Sequence, residues 1–142
     1  MEMTAGDILR NTKKINIALD TYLNERLAST DLTAAQGNVL FFILEHSGVH
    51  STRIHKQLGI SRGTVSGLIK KLREKGYVSF SSCDTDDRQK PILVTEKANA
   101  LREALIGWQR ELEEMVFRDF TPEERATLGR LQEKMLRNIS PA

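Results

Sequence analysis

Ser61-Arg62-Gly63-Thr64-Val65-Ser66-Gly67-Leu68-Ile69-Lys70-Lys71-Leu72 is the stretch on which the rest of the chain depends. Val65, Leu68, Ile69 and Leu72 recur at the spacing of a short helix with one apolar stripe. The opposite face carries Gly63, Ser66, Gly67 and Lys70, with Lys71 beside them. Glycine on a wet helix face costs about 1 kcal/mol relative to alanine, and core packing offers no reason to keep two there. Simple tolerance of glycine at a surface is the bland alternative. Small residues flanked by Arg62 and Lys70 instead let a helix come close to base edges in a DNA major groove.

Immediately upstream, Ser51 is expected to cap a helix running through Leu58, and Gly59 to supply the left-handed turn that ends it. Ser61 then caps the second helix. Ile54, Leu58, Ile60, Val65 and Leu68 fall where a helix-turn-helix needs apolar contact between its two helices. Downstream, Glu74-Lys75-Gly76 is a helix stop, and the period changes to strand over residues 77–80 and 92–94. The polar run 83–89 joins these strands into a two-stranded ribbon with a tip. Arg88 at that tip suits a narrow minor groove, with Asp86 orienting its guanidinium through a charge-assisted pair. An ordinary exposed ion pair is the weaker alternative.

The flanks read as helix. Ile8, Ile15, Leu19, Tyr22 and Leu23 put an apolar stripe on residues 7–27, and Ser29-Thr30-Asp31 breaks it. Thr33 with Gln36 matches a capping box ahead of a buried helix bearing Val39, Leu40, Ile43 and Leu44, ended by Ser47-Gly48. Thr95 is expected to cap a long helix with Leu101, Leu105, Trp108, Leu112 and Val116 on one face. Thr121-Pro122-Glu123-Glu124 starts the last helix, which carries Leu128, Leu131 and Met135. Trp108 on that spacing belongs to core or interface rather than to a ligand site.

A chain of 142 residues holds one ordinary domain, and 28% charged with 39% hydrophobic residues fits a soluble globular protein. The net charge of +2 is unevenly spread: residues 51–90 carry nine Lys/Arg against four acids, leaving +5 there and −3 elsewhere. A basic centre with acidic ends is the footprint of a polyanion partner on one face. A single cysteine, Cys83, excludes an internal disulfide and fits a reducing compartment. Glu2, Asp7 and Arg10 leave no room for a signal-peptide core, and the uncharged run 32–44 is too short to span a bilayer. A cytoplasmic protein without a membrane partner is expected.

In this order, Leu32-Thr33-x-x-Gln36, Ser61-x-x-Thr64-Val65-Ser66, Leu72-x-x-x-Gly76-Tyr77-Val78 and Asp86-x-Arg88 with Val94-Thr95 resemble the MarR family of bacterial winged-helix regulators. Two positions depart from the family pattern: Ala98 stands where glycine is usual, and Phe80 where a basic residue often opens the wing. A third, His55, replaces the small residue usual in a helix-turn-helix. The fold class implied is mainly α: a winged helix-turn-helix with a two-stranded β wing, and N- and C-terminal helices forming a dimerisation region. One MarR-like domain over 1–142 would place the dimerisation helices at about 1–30 and 96–142. The DNA-binding lobe would occupy about 31–95.

The resemblance further implies a homodimer on pseudo-palindromic double-stranded DNA, acting mostly as a repressor and released by a small, often aromatic, effector. Carried onto this chain, Ser61, Arg62, Gly63, Thr64, Ser66 and Lys70 face the major groove or its flanking phosphates. Ser51, Thr52 and Arg53 bind backbone phosphate, and Arg88 enters the minor groove. No catalytic residues, metal or cofactor are expected. No nucleophile–base pair or paired-carboxylate motif is present, and His46 and His50 straddle a helix break. Cys83 lies among acids that disfavour a thiolate. The principal rival is a winged helix that binds protein without reading DNA. Such a module would not need Arg62, Lys70 and Arg88 on one face, and charge reversal at Arg88 separates the two.

Overall fold

Thr4 opens the first helix with a reciprocal cap. Its hydroxyl accepts from the Asp7 N–H at 3.0 Å, and the Asp7 carboxylate accepts from the Thr4 N–H at 3.1 Å. The computed structural model describes residues 2–80 and 90–140. Helix α1 spans Ala5–Arg26 and runs into a single 3-10 turn, Leu27–Ser29. The expected Thr33–Gln36 capping box is formed, each partner bonding the other's N–H at 3.2 Å, and it starts α2, Ala34–Glu45. Gly37 in α2 allows the close approach of Leu27: an added Cβ there would stand 2.7 Å from the Leu27 Cδ1.

Helix α3 is Ser51–Leu58 and α4 is Arg62–Glu74, joined by Gly59 in the left-handed region (φ 66°). Ser61 caps α4 as expected, its Oγ accepting from the Thr64 N–H at 3.2 Å. The cap of α3 differs from expectation. His50 holds that position without a side-chain bond, and Ser51 is the first helical residue. The His55 ring reaches across the turn, its Nδ1 donating to the Ile60 carbonyl. This gives the unusual residue a use: it ties the helix-turn-helix at its corner.

Strands β1 (Val78–Phe80) and β2 (Ile92–Val94) pair antiparallel, with Val78 opposite Val94 and Phe80 opposite Ile92. Ile92 also exchanges hydrogen bonds with the segment before α3, donating to the Val49 carbonyl at 2.9 Å and accepting from Gly48 at 3.2 Å. The sheet base is thereby anchored to the lobe. Helix α5 is Glu96–Val116 and α6 is Pro122–Ile139; α6 begins with the Thr121–Glu124 box and Pro122 in its first turn. Ala98, a departure from the resembled pattern, is buried, and its N–H donates to the Thr95 Oγ1 at 3.4 Å, so Thr95 caps the helix as expected.

The backbone divides into two compact units, Met1–Gln109 and Arg110–Ala142. The first holds a core built from Leu27, Val39, Leu40, Ile43, Ile54, Val65, Leu72 and Ile92, all nearly inaccessible to solvent, with Trp108 packed against it. In the second, Phe117 and Phe120 meet edge to face at 5.3 Å, and α6 leaves Leu128, Leu131, Met135, Leu136 and Ile139 exposed. Helix α1, in the first unit, likewise exposes Ile8, Leu9, Ile15 and Ile17, while Leu19, Tyr22 and Leu23 are half-buried. No single helix among the described residues is long and apolar enough to cross a membrane.

A polar network locks the first unit behind α4. Tyr77 Oη donates to Asp31 Oδ1 at 2.6 Å, and Lys97 Nζ lies 3.5 Å from Asp31 Oδ2 and 4.4 Å from the Tyr77 ring centre. Lys75 donates to the Asp31 carbonyl and, at 2.8 Å, to Gln36 Oε1, the buried polar side chain of α2. The Tyr77 hydrogen bond holds the Asp31 carboxyl below its ordinary range, with the Lys97 charge adding to it. Burial, then the bond to Asp31, pushes the Tyr77 hydroxyl up to about 12. A folded-state value above the ordinary 10.0 means the neutral phenol's stabilisation is complete below pH 10 and lost as pH rises towards 12. Tyr77→Phe is therefore expected to flatten the fall in urea midpoint between about pH 10 and 12. Asp31, depressed instead, contributes in full above its ordinary 3.8 and loses that contribution as pH falls through its lower folded-state value.

Candidate nucleic-acid interface

The burial of α4 sorts its residues as its sequence requires. Val65, Ile69 and Leu72 face the core and Leu68 is half-buried, while Arg62, Gly63, Thr64, Ser66, Gly67, Lys70 and Lys71 are exposed. A Cβ added at Gly63 or Gly67 would meet nothing within 4 Å. Nothing among the described residues therefore requires glycine at either place, and both lie on the open face between Arg62 and Lys70. The Ser61 hydroxyl, which caps the helix, also donates to Thr64 Oγ1 at 2.8 Å, so these two hydroxyls are positioned together at the N-terminal end of α4.

Ser51, Thr52 and Arg53 form the first turn of α3, where backbone N–H groups precede the ladder. The Arg53 N–H donates to the His50 carbonyl at 3.0 Å and so begins that helix. The Arg53 guanidinium sits 6.0 Å from the Phe42 ring centre. Ser51 and α4 then meet across an open groove of about 370 Å³, lined by Ser51, Ser66, Ile69, Lys70, Arg73, Phe80, Lys90 and Ile92. The groove thus joins three elements: the start of α3, the exposed stripe of α4 and the base of the sheet. Among the described residues, no carboxylate lines it.

The structure brings Ser51, Ser66 and Lys70 to one groove and leaves Thr52, Arg53, Ser61, Arg62, Gly63 and Thr64 exposed on α3, at the α4 cap and on α4. Asp86, Arg88 and Cys83 lie outside the described residues. Arg73 and Lys90 are groove residues that sequence reasoning does not single out, and Phe80 is one it marks only as a departure from the resembled pattern. Arg73 is readable in principle: it follows Ser66 by seven positions and Lys70 by three, the spacing of one helix stripe. Of the two histidines considered as metal ligands, His46 stacks on Phe42 at 4.2 Å and its Nδ1 donates to the Phe42 carbonyl at 2.9 Å, whereas His50 is exposed.

Residues 30–89 match the family model described as the MarR family. The multiple antibiotic resistance protein MarR of Escherichia coli (strain K12) is 30% identical over 125 residues, covering 86% of this chain and 85% of that protein. The HTH-type transcriptional regulator YybA of Bacillus subtilis (strain 168) is 29% identical, over 94% of this chain and 89% of its own. Among solved structures, a MarR family transcriptional regulator from Listeria monocytogenes, complexed with 26mer DNA, superposes with a TM-score of 0.83 at 26% identity. It covers 98% of this chain and 90% of that one.

Proposed function

The chain belongs to the MarR family of transcriptional regulators, and on that premise we propose that it is a homodimeric repressor that reads a pseudo-palindromic operator. A small, often aromatic, effector releases it. The open face of α4 carries this reading: two glycines with free space above them, hydroxyls at Ser61, Thr64 and Ser66, and cations at Arg62 and Lys70. In the major groove, the glycines let the helix backbone approach base edges, while the hydroxyls and cations reach bases and flanking phosphates.

Ser51, Thr52 and Arg53 grip backbone phosphate through hydroxyl, amide and charge at the start of α3. Arg88, oriented by Asp86, reads the adjacent minor groove. The Listeria monocytogenes relative in complex with DNA supports this partner. The exposed apolar faces of α1 and of α6 support a second copy as their cover, since neither is buried within its own unit. Two-fold symmetry then sets two half-sites about one helical turn, roughly 34 Å, apart.

The glycines provide the test, because stability and binding should move in opposite directions. Gly63→Ala with Gly67→Ala is expected to raise the unfolding free energy by about 1 kcal/mol per site. Operator affinity should fall about tenfold or more, since each added methyl occupies the space the DNA needs. A variant that is more stable and binds the operator unchanged would remove α4 as the reading helix.

A further inference from the structure

Arg73 sits on the same exposed stripe as Ser66 and Lys70, but on the side of α4 that faces the sheet. Its guanidinium lies 5.0 Å from the centre of the Phe80 ring, within the range of a cation–π contact. Phe80 is half-buried at the end of β1, packed against the core, and its backbone pairs with Ile92 on the neighbouring strand, which sets the ring beside α4. Both residues line the groove with Lys70 and Lys90. Among the described residues no carboxylate pairs with Arg73, and the nearest acid in sequence, Glu74, lies 3.6 Å from Lys71 instead. A guanidinium lying over a ring still presents its edge N–H groups outward, in the fork that suits a phosphate.

We propose that Arg73, braced on the Phe80 ring, is a DNA backbone phosphate clamp on the wing side of the recognition helix, and that Phe80 is its positioning residue. The inference rests on the proposed DNA-binding function. The position of Arg73 near the C-terminal end of α4 favours phosphate over base edges, which the N-terminal residues of a recognition helix reach. Phe80 carries no charge of its own and orders one supplied by α4.

The test uses the full chain and fluorescence anisotropy with operator and scrambled duplexes over a salt series. Thermal midpoints confirm that each variant is folded. Arg73→Ala is expected to weaken both duplexes alike, about tenfold, and to reduce the slope of log K against log salt by about 0.9 per subunit. Arg73→Lys keeps the charge and loses the stacked fork, so the slope stays and affinity falls about threefold. Phe80→Leu behaves as Arg73→Lys does, and Phe80→Tyr restores binding. In the Arg73→Ala background, Phe80→Leu should cost nothing further, because its effect passes through Arg73.

Arg73→Ala with wild-type affinity and slope overturns the clamp while leaving the DNA-binding function standing. An additive loss from Phe80→Leu in the Arg73→Ala background overturns the brace. Indifference of the wild-type protein to DNA at low salt removes both the clamp and the function on which it rests.

Discussion

Leu72→Ala lowers the unfolding free energy by about 2–5 kcal/mol, the largest loss of stability expected from a single side chain here. Leu72 is 0% exposed, in the core cluster of the first unit, on the helix that packs against α2. Its backbone carbonyl also accepts from the Tyr77 N–H at 2.9 Å, so the turn into β1 hangs on the same residue. Truncation removes buried methyl groups and leaves a cavity in a close-packed core, which adds to the lost burial. In urea, the midpoint should drop with the slope unchanged, the sign of lost stability and not of a changed unfolded state. A loss below about 1 kcal/mol would mean that α4 is not part of the cooperative core.

Lys70→Glu abolishes most operator binding while leaving stability nearly untouched. Lys70 is exposed, lines the groove beside Ser66 and Arg73, and has no role in the core. Reversing its charge removes one phosphate partner per subunit and places a carboxylate against the DNA backbone. A fall of about 100-fold near physiological salt is expected, on the order of 1.4 kcal/mol for each subunit of a dimer. The salt slope should shrink by about 0.9 for each phosphate that is no longer neutralised. Surface substitutions away from special features change stability by about 0.5 kcal/mol or less, so the urea midpoint should stay put. Binding that survives the reversal would place the DNA on a different face.

Much of this fold is local, and local features are legible in a sequence. The boxes at Thr33–Gln36 and Thr121–Glu124, the left-handed Gly59 and the Ser61 cap are each decided within four residues of chain. The apolar stripe of α4 follows from helical period alone, and so does the wet face opposite it. The box at Thr4 and Asp7 is equally local but escapes a reading by periodicity, because the apolar stripe of α1 begins only at Ile8.

Long-range pairings leave no such trace. Asp31, Gln36, Lys75, Tyr77 and Lys97 form one network, with 66 positions separating its ends, and no spacing rule connects them. The Arg73–Phe80 stack depends on the angle at which β1 leaves α4, which is a tertiary fact. At α3, His50 holds the cap position although the next residue, Ser51, is a strong capping type, and the two residues before it, Gly48 and Val49, are paired with Ile92 far along the chain. The exposed stripes of α1 and α6 show the same limit from the other side. Periodicity reveals the apolar faces but not what covers them.

The most direct test of DNA reading by the α3–α4 face is binding of the purified protein to its own upstream DNA, by fluorescence anisotropy across a salt series. The expected result is a complex of two chains per duplex, at least about 10³-fold tighter on the operator than on a scrambled sequence. Its log K should fall steeply and linearly with log salt, at about 0.9 per phosphate neutralised. Binding that is weak on both duplexes and flat with salt, and that Arg88→Glu leaves unchanged, would contradict the account and favour a protein partner for this fold.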